Sequence, residues 1–458
     1  MTQPTRQLFG TDGIRGVAGE FPLTYESTYV IGRALGHDLQ RAGSNQLVVI
    51  GQDTRASSGW IADRVTMGLN SLGIKVESAG VITTPGVAYL ARSRAMAAGI
   101  VISASHNPWT DNGIKVFSGD GYKLPDAREL AIEQEIFALL QNPLPQAGPD
   151  ERPAVSLPGD PALREAYVHW LEQGVSANLS RLRVLVDCAN GAATAEAPPL
   201  FRACGVKTEF VHCAPDGKNI NAQCGALHPE TAAKWVAARP GEFDLGITFD
   251  GDADRVLFCD ARGNVVNGDA VLLIAGREMQ ARGTLRENTL VATTMSNMGL
   301  EVALRKAGIR MLRANVGDKY VLEEMLKTGA TLGGEQSGHI LFRDGDATTG
   351  DGLMTALRIM EIMARSGKSL AELVGDLKVF PQTIQNVRVR EKVPFAQVPE
   401  VQNAIERAQR ELDGNGRVVV RYSGTEALAR VMVEAESEER MMTIANQISS
   451  AIKTQLGL

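Results

Sequence analysis

The sequence predicts an α/β protein, with three similar α/β units followed by a smaller C-terminal α+β unit. Three observations carry this. β-Branched apolar runs alternate with segments of helical apolar spacing through most of the 458 residues. Three times an apolar run hands over abruptly to a polar loop, at 103, 250 and 335, which invites similar domains facing one cleft. From about 375 the alternation stops, and strands mix with two helical segments.

In chain order, Leu47-Val48-Val49-Ile50 reads as a strand, 58–72 as a helix ending near Gly73, and Ile74-Lys75-Val76 as the next strand. Gly99-Ile100-Val101-Ile102 suits a buried parallel strand that stops at Ser103-Ala104-Ser105-His106-Asn107-Pro108. The proline-rich stretch 142–160 reads as a linker or surface loop. The second unit offers strands over 182–186 and 245–249 and a helix over 191–204. The third offers strands over 290–292 and 310–313 and a long helix over 351–366. The tail pairs strands over 387–389 and 417–421 with helices over 398–412 and 436–454. The resulting boundaries are 1–155, 156–257, 258–373 and 374–458, one unit more than the roughly three that length alone predicts.

A composition of 44% hydrophobic and 22% charged residues is that of a globular protein, and the net charge of −6 argues against nucleic acid or an anionic membrane as the main partner. The five cysteines form no C-x-x-C pair and read as scattered thiols in a reducing compartment. The start MTQPTRQLFGTDGIRG lacks the apolar core of a signal peptide, and no apolar run approaches the ~20 residues that span a bilayer. The expected location is the cytoplasm, where the sequon Asn178-Leu179-Ser180 is idle.

Five segments carry chemistry. Ser105 beside His106, fixed by Asn107-Pro108 and followed by Lys115, presents a nucleophile at a strand end. Asp250-Gly251-Asp252-Ala253-Asp254-Arg255 crowds three carboxylates, each pair costing ~4 kcal/mol at 4 Å and an effective dielectric of 20. A hard cation is their natural neutraliser. An EF-hand is excluded by Arg255 where that loop needs glycine and by Ala261 where it needs an acid, so Mg²⁺ is expected. Arg421-Tyr422-Ser423-Gly424-Thr425-Glu426 with Arg430 reads as a phosphate cradle of backbone N–H groups, hydroxyls and guanidinium forks. Gly333-Gly334-Glu335-Gln336-Ser337-Gly338-His339 offers hydrogen bonds for a sugar, with Glu335 and Ser337 on one side if the loop is extended. Phe9-Gly10-Thr11-Asp12-Gly13-Ile14-Arg15-Gly16 is a glycine-rich loop presenting Arg15, without dinucleotide or P-loop spacing. The chain has no G-x-S-x-G elbow.

Together, in this order and over the whole chain, the five segments resemble the α-D-phosphohexomutase superfamily. The resemblance implies four domains around a central cleft, the first three with mixed sheets. It implies that Ser105 carries a phosphoryl group, that Asp250, Asp252 and Asp254 with Ser105 bind Mg²⁺, that Glu335 and Ser337 read the sugar, and that Arg421, Ser423, Gly424, Thr425 and Arg430 hold the substrate phosphate. FGTDGIRG, GGEQSGH and RYSGTE look like the bacterial branch acting on glucosamine phosphates. Glucosamine 6-phosphate and 1-phosphate would interconvert through a 1,6-bisphosphate that also serves as activator, feeding UDP-N-acetylglucosamine synthesis. Mannose and glucose phosphates are the alternative substrates. A phosphosugar is thus the expected partner, and a homodimer fits the resemblance. One departure is Ala427 and Ala429, where the pattern has proline and a larger aliphatic residue.

With a phosphoserine at about −1.5 to −2, three aspartates and one Mg²⁺, such a site stays near −3, so Arg15, Lys115 and Arg255 are expected as its cations. Lys115 and His339 are the candidate proton acceptors. His106 is expected to point away from Ser105, as neighbours in an extended loop do.

Overall fold

The computed structural model describes residues 6–43, 45–141, 158–423 and 426–458; nearly all of the expected linker lies outside them. The first sheet sets Phe9–Gly10, Gly13–Val17, Asp111–Ser118, Ala98–Ile102, Leu47–Gln52 and Lys75–Val81 side by side in that order. Leu47–Gln52 runs parallel to both neighbours, whereas Asp111–Ser118 is antiparallel to both of its own, so the sheet is mixed. Period two explains why its central strands are apolar throughout. Val48, Ile50, Ile100 and Ile102 pack on one face against Tyr25–Arg41 and Ser58–Asn70, while Val49 and Val101 pack on the other against Thr84–Ser93.

The second sheet orders Val265–Val266, Val256–Asp260, Leu245–Phe249, Arg183–Asp187 and Lys207–Val211; the third orders Arg310–Ala314, Thr289–Thr293, Leu332–Gly334 and Ile340–Phe342. Two boundaries need correction. The second sheet continues to Val266, past the expected limit at 257, because Val256–Asp260 returns antiparallel beside Leu245–Phe249. The helix Leu370–Val374 straddles the expected limit at 373. The second and third units also share one apolar core, in which Val184 and Phe249 join Leu290, Leu332, Leu353 and Met360.

The fourth sheet, Gln382–Arg388, Leu428–Ala435 and Gly416–Tyr422, is antiparallel and packs Val431 and Val433 against Glu438–Leu456. It is tied to the third unit. Asn297 donates to Phe380 O at 2.9 Å and accepts from Phe380 N at 2.8 Å, and Arg417, paired with Glu434 at 2.7 Å, donates to Thr294 O at 2.7 Å. Among the described residues, no helix is long and apolar enough to cross a membrane.

The long helix Gly352–Ser366 is capped by Asp351, which accepts from Met354 N at 2.9 Å and from the Tyr167 hydroxyl at 2.8 Å. Burial pushes this carboxyl up to about 6. A carboxyl raised in the folded state binds its proton more tightly there, so stability falls as pH rises through the window from about 4 to about 6. A shift of about two units is worth about 3 kcal/mol. Asp351→Asn keeps the cap and removes the titration. Its thermal midpoint relative to the parent protein should therefore rise between pH 4 and pH 7, and a constant difference across that range refutes the assignment.

Candidate active site

All three strand-to-loop junctions meet. Ser103-Ala104-Ser105 leaves Ala98–Ile102, Asp250 leaves Leu245–Phe249, and Glu335 leaves Leu332–Gly334. Ser105 donates from Oγ to Asp250 Oδ2 at 2.5 Å, joining the first unit to the second. Ser103 plays a different part, since its Oγ accepts from Ser105 N at 2.9 Å. Ser105 takes φ +51°, in the left-handed region, so the loop is not extended. This overturns the expected orientation of His106, whose Nδ1 lies 3.4 Å from Ser105 Oγ. Burial, then the charges of Arg255 and Arg15, lower His106 to about 4, so it is neutral at pH 7.

Asp250, Asp252 and Asp254 are buried, with ligand oxygens within 4.8 Å of one another. Asp252 Oδ1 and Asp254 Oδ1 are enclosed without a hydrogen-bond partner, so two oxygens remain free to ligate a hard cation. The triad is able to bind a metal. Burial, then Asp254 and Asp252, push Asp250 well above the usual carboxylate range, whereas Lys115 and His339 hold Asp254 well below it despite burial. Gly251 allows the metal-type loop to meet the serine loop, because a Cβ there would stand 2.4 Å from Ser105 O.

Lys115 is buried and sits 2.7 Å from Asp252, 2.8 Å from Asp12 and 3.3 Å from Asp254. Burial opposes its charge, but those three carboxylates raise it well above the usual lysine range. His339 lies with Nδ1 3.7 Å from Asp254 and Nε2 3.5 Å from Asp318. Burial lowers it, yet Asp254, Asp318 and Glu335 bring it above the usual histidine value. The two expected proton acceptors, Lys115 and His339, are both held toward their charged forms by these carboxylates.

A cavity of about 280 Å³ opens in front, lined among others by Arg15, His106, Arg255, Glu335 and His339. Arg15 pairs with Asp12, and the backbone N–H of Arg255 donates to Asp250 Oδ1 at 3.1 Å. The sugar-type loop is a turn, closed by Gly338 N to Glu335 O at 3.0 Å, not the extended segment expected. Glu335 accordingly reaches Gly317 N at 3.0 Å and lines the cavity, while Ser337 is exposed and does not.

The fourth unit does not reach this cavity. Arg421 and Arg430 are direct cross-strand partners, so two like charges share one sheet face, an arrangement that an anion relieves. Arg430 also lies 3.5 Å from Ser423 Oγ and 3.3 Å from Glu426. Gly424 and Thr425 lie outside the described residues. Ala429 faces the core of its unit rather than the arginines, so its small size bears on packing and leaves the phosphate-type face unaltered.

Four residues escaped the sequence reading. Asp12 stands in the glycine-rich loop already noted for Arg15. Arg55, which donates to Ser105 O at 3.1 Å and Asn107 O at 2.6 Å, follows Leu47–Gln52 at one more apolar-to-polar handover. Thr84, donating to Asp252 Oδ2 at 2.5 Å, and Asn221, donating to Ser105 O at 2.9 Å, carry no local signal.

Family models match four consecutive stretches: phosphoglucomutase/phosphomannomutase alpha/beta/alpha domain I over residues 6–142, domain II over 165–263, domain III over 267–380 and the C-terminal domain over 385–451. A phosphoglucosamine mutase of Koribacter versatilis is 62% identical over 459 residues, covering 100% of this chain and 99% of its own. One from Solibacter usitatus is 51% identical over 453 residues, covering 99% of each. The solved structure of a phosphoglucomutase/phosphomannomutase family protein from Burkholderia thailandensis has a TM-score of 0.76 at 24% identity, covering 98% of this chain and 99% of that one.

Lys115→Met removes the charge shared by three carboxylates and should cost about 3–5 kcal/mol. The thermal midpoint should drop clearly; an unchanged midpoint means that Lys115 is not their common counter-ion.

Proposed function

This chain belongs to the phosphoglucomutase/phosphomannomutase family, and we propose that it interconverts glucosamine 6-phosphate and glucosamine 1-phosphate through a phosphoryl group carried on Ser105. The observation that carries the chemistry is Ser105 Oγ set against Asp250 beside a cation-lined cavity. The choice of sugar rests on the relatives at 62% and 51% identity, both phosphoglucosamine mutases.

The site residues fit Mg²⁺. Asp250, Asp252 and Asp254 would hold it, with the Ser105 phosphoryl group as a further ligand, and when bound it draws charge from the group in transfer. Arg421 and Arg430, with Ser423, Gly424 and Thr425, bind the phosphate that does not react. The sugar O1 attacks phospho-Ser105, so the O1–P bond forms, the Oγ–P bond breaks, and the O1 proton passes to Ser105. Neutral His106, 3.4 Å from Oγ, relays it. The 1,6-bisphosphate turns end for end, Ser105 Oγ attacks its 6-phosphate so that Oγ–P re-forms and O6–P breaks, the Ser105 proton returns through His106 to O6, and glucosamine 1-phosphate leaves. Glu335, which lines the cavity, meets sugar hydroxyls, and Arg15, Arg255, Lys115 and His339 balance the phosphates in transit.

Ser105→Ala should abolish turnover with the fold intact, and intact-mass and peptide mapping of fresh protein should place a phosphate on Ser105. A phosphate on Ser103, or substantial residual turnover, sinks the phosphoserine. Side by side, glucosamine 6-phosphate should turn over faster than mannose or glucose phosphates. The reverse order identifies a phosphomannomutase/phosphoglucomutase, and released inorganic phosphate without isomerisation identifies a phosphatase. Arg421→Ala should raise KM at least tenfold, and an unchanged KM places the cradle elsewhere.

A further inference from the structure

All five cysteines are free thiols, and one of them, Cys224, stands beside an aspartate and a histidine. Asp187 ends the strand Arg183–Asp187, His212 follows the neighbouring strand Lys207–Val211, and Cys224 stands in the loop before Pro229–Ala237. One ligand atom from each of the three lies within 4.8 Å of the others. Asp187 and Cys224 are fully buried, whereas His212 is 27% exposed at its side chain and so leaves a path to solvent.

Two features set this cluster apart from an ordinary buried polar contact. His212 Nδ1 is enclosed and 3.1 Å from Asp187 Oδ2, yet it finds no partner in hydrogen-bonding geometry. Two ligands of one ion approach in this way, close together but not aligned on each other. Asp187 is in turn fixed from behind, with Oδ1 accepting from Ala189 N and Oδ2 from Gly225 N, both at 2.9 Å. Each oxygen keeps a lone pair, and an oriented carboxylate of this kind is what a metal site requires around its ligands.

We propose that Asp187, His212 and Cys224 bind one borderline-soft divalent cation of the Zn²⁺ class, separate from the aspartates beside Ser105. The donor set decides the class. Imidazole and thiolate favour Zn²⁺, Co²⁺ or Cd²⁺ over Mg²⁺, which prefers oxygen ligands alone. Carboxylate and thiolate together neutralise the double charge, and three protein ligands leave a fourth, tetrahedral position for water. Ligands around zinc sit about 3.3–3.8 Å apart, so the widest gap must close by at most about 1.5 Å, within reach of a side-chain adjustment.

Such an ion acts on the reaction centre through the loop it ties down. Asn221, three residues before Cys224, donates from its backbone to Ala189 O and from its side chain to Ser105 O, each at 2.9 Å. Holding Cys224 against Asp187 therefore holds Asn221 on the carbonyl of the serine loop.

Co²⁺ titrated into the full-length, magnesium-loaded protein under reducing conditions tests this without reference to turnover. A thiolate-to-cobalt charge-transfer band should appear in the near ultraviolet and saturate near one equivalent. The band should vanish in Cys224→Ser, weaken at least tenfold at equal Co²⁺ in His212→Ala, and persist in Cys188→Ser and Cys213→Ser. Cobalt at the aspartates has no sulfur ligand and gives no such band. No band in the parent protein, or one that survives Cys224→Ser, overturns the proposal. Should Cys224→Ser fail to fold by circular dichroism, His212→Ala at the partly exposed ligand decides alone, and an unweakened band there overturns it equally.

Discussion

Lys115 is the buried ammonium that three carboxylates from two units share, although Asp12 also pairs with Lys123 and Arg15. Asp12 comes from the first unit, Asp252 and Asp254 from the second, and all three lie within 3.3 Å of Nζ. Breaking a buried ionic cluster by losing one partner is far more costly than never building it. This one contact therefore constrains how the first two sheets meet. His339 extends the constraint to the third unit by standing between Asp254 and Asp318. The cavity lies where these charges converge because each unit delivers its loop from the carboxyl end of a strand.

Around that fixed charge cluster the serine loop is held by its carbonyls rather than by its nucleophile. Arg55 and Asn221 both donate to Ser105 O, and Gly251 removes the Cβ that would push the metal-type loop away. Oγ is left to face Asp250 and His106. Anchoring by backbone leaves the side-chain oxygen free to be substituted without loss of the loop's geometry. The arginine pair of the fourth unit follows the opposite logic. Arg421 and Arg430 face each other across two strands as like charges, and the Glu426 carboxylate lies 3.3 Å from Arg430. Their unit hangs from Asn297 and Thr294 of the third, so an anionic ligand is the natural bridge from this face to the cavity.

The fold was largely written in local patterns. Continuous apolar, β-branched runs found the strands Leu47–Gln52, Ala98–Ile102 and Leu245–Phe249, and the long helix Gly352–Ser366 was read as well. The boundary at 257 misled because a hairpin partner, Val256–Asp260, belongs to its sheet by pairing that no window of sequence displays. Within the site, Ser105, the three aspartates and Arg15 were legible since each motif keeps its donors adjacent in the chain. The conformation of Ser105 was not. A left-handed φ at a non-glycine residue is imposed by surrounding contacts, and it reversed the placement of His106. Protonation was illegible for the same reason. Nothing near Lys115 in the sequence announces Asp12 or Asp252, yet these carboxylates hold it toward its charged form.

The two clusters able to hold a cation show what such legibility depends on. Asp250, Asp252 and Asp254 come from five consecutive residues, so sequence alone shows a crowd of carboxylates able to bind a hard cation. Asp187, His212 and Cys224 come from two strand ends and a loop, and only parallel pairing of Arg183–Asp187 with Lys207–Val211 brings the first two together. Their chemistry also differs, three carboxylates against a carboxylate, an imidazole and a thiol. Ligand softness would then sort two kinds of ion between the two sites. Asn221 joins them, since it is tethered beside Asp187 through Ala189 and ends on the carbonyl of Ser105. A change at the softer site thus has a short covalent and hydrogen-bonded route to Ser105.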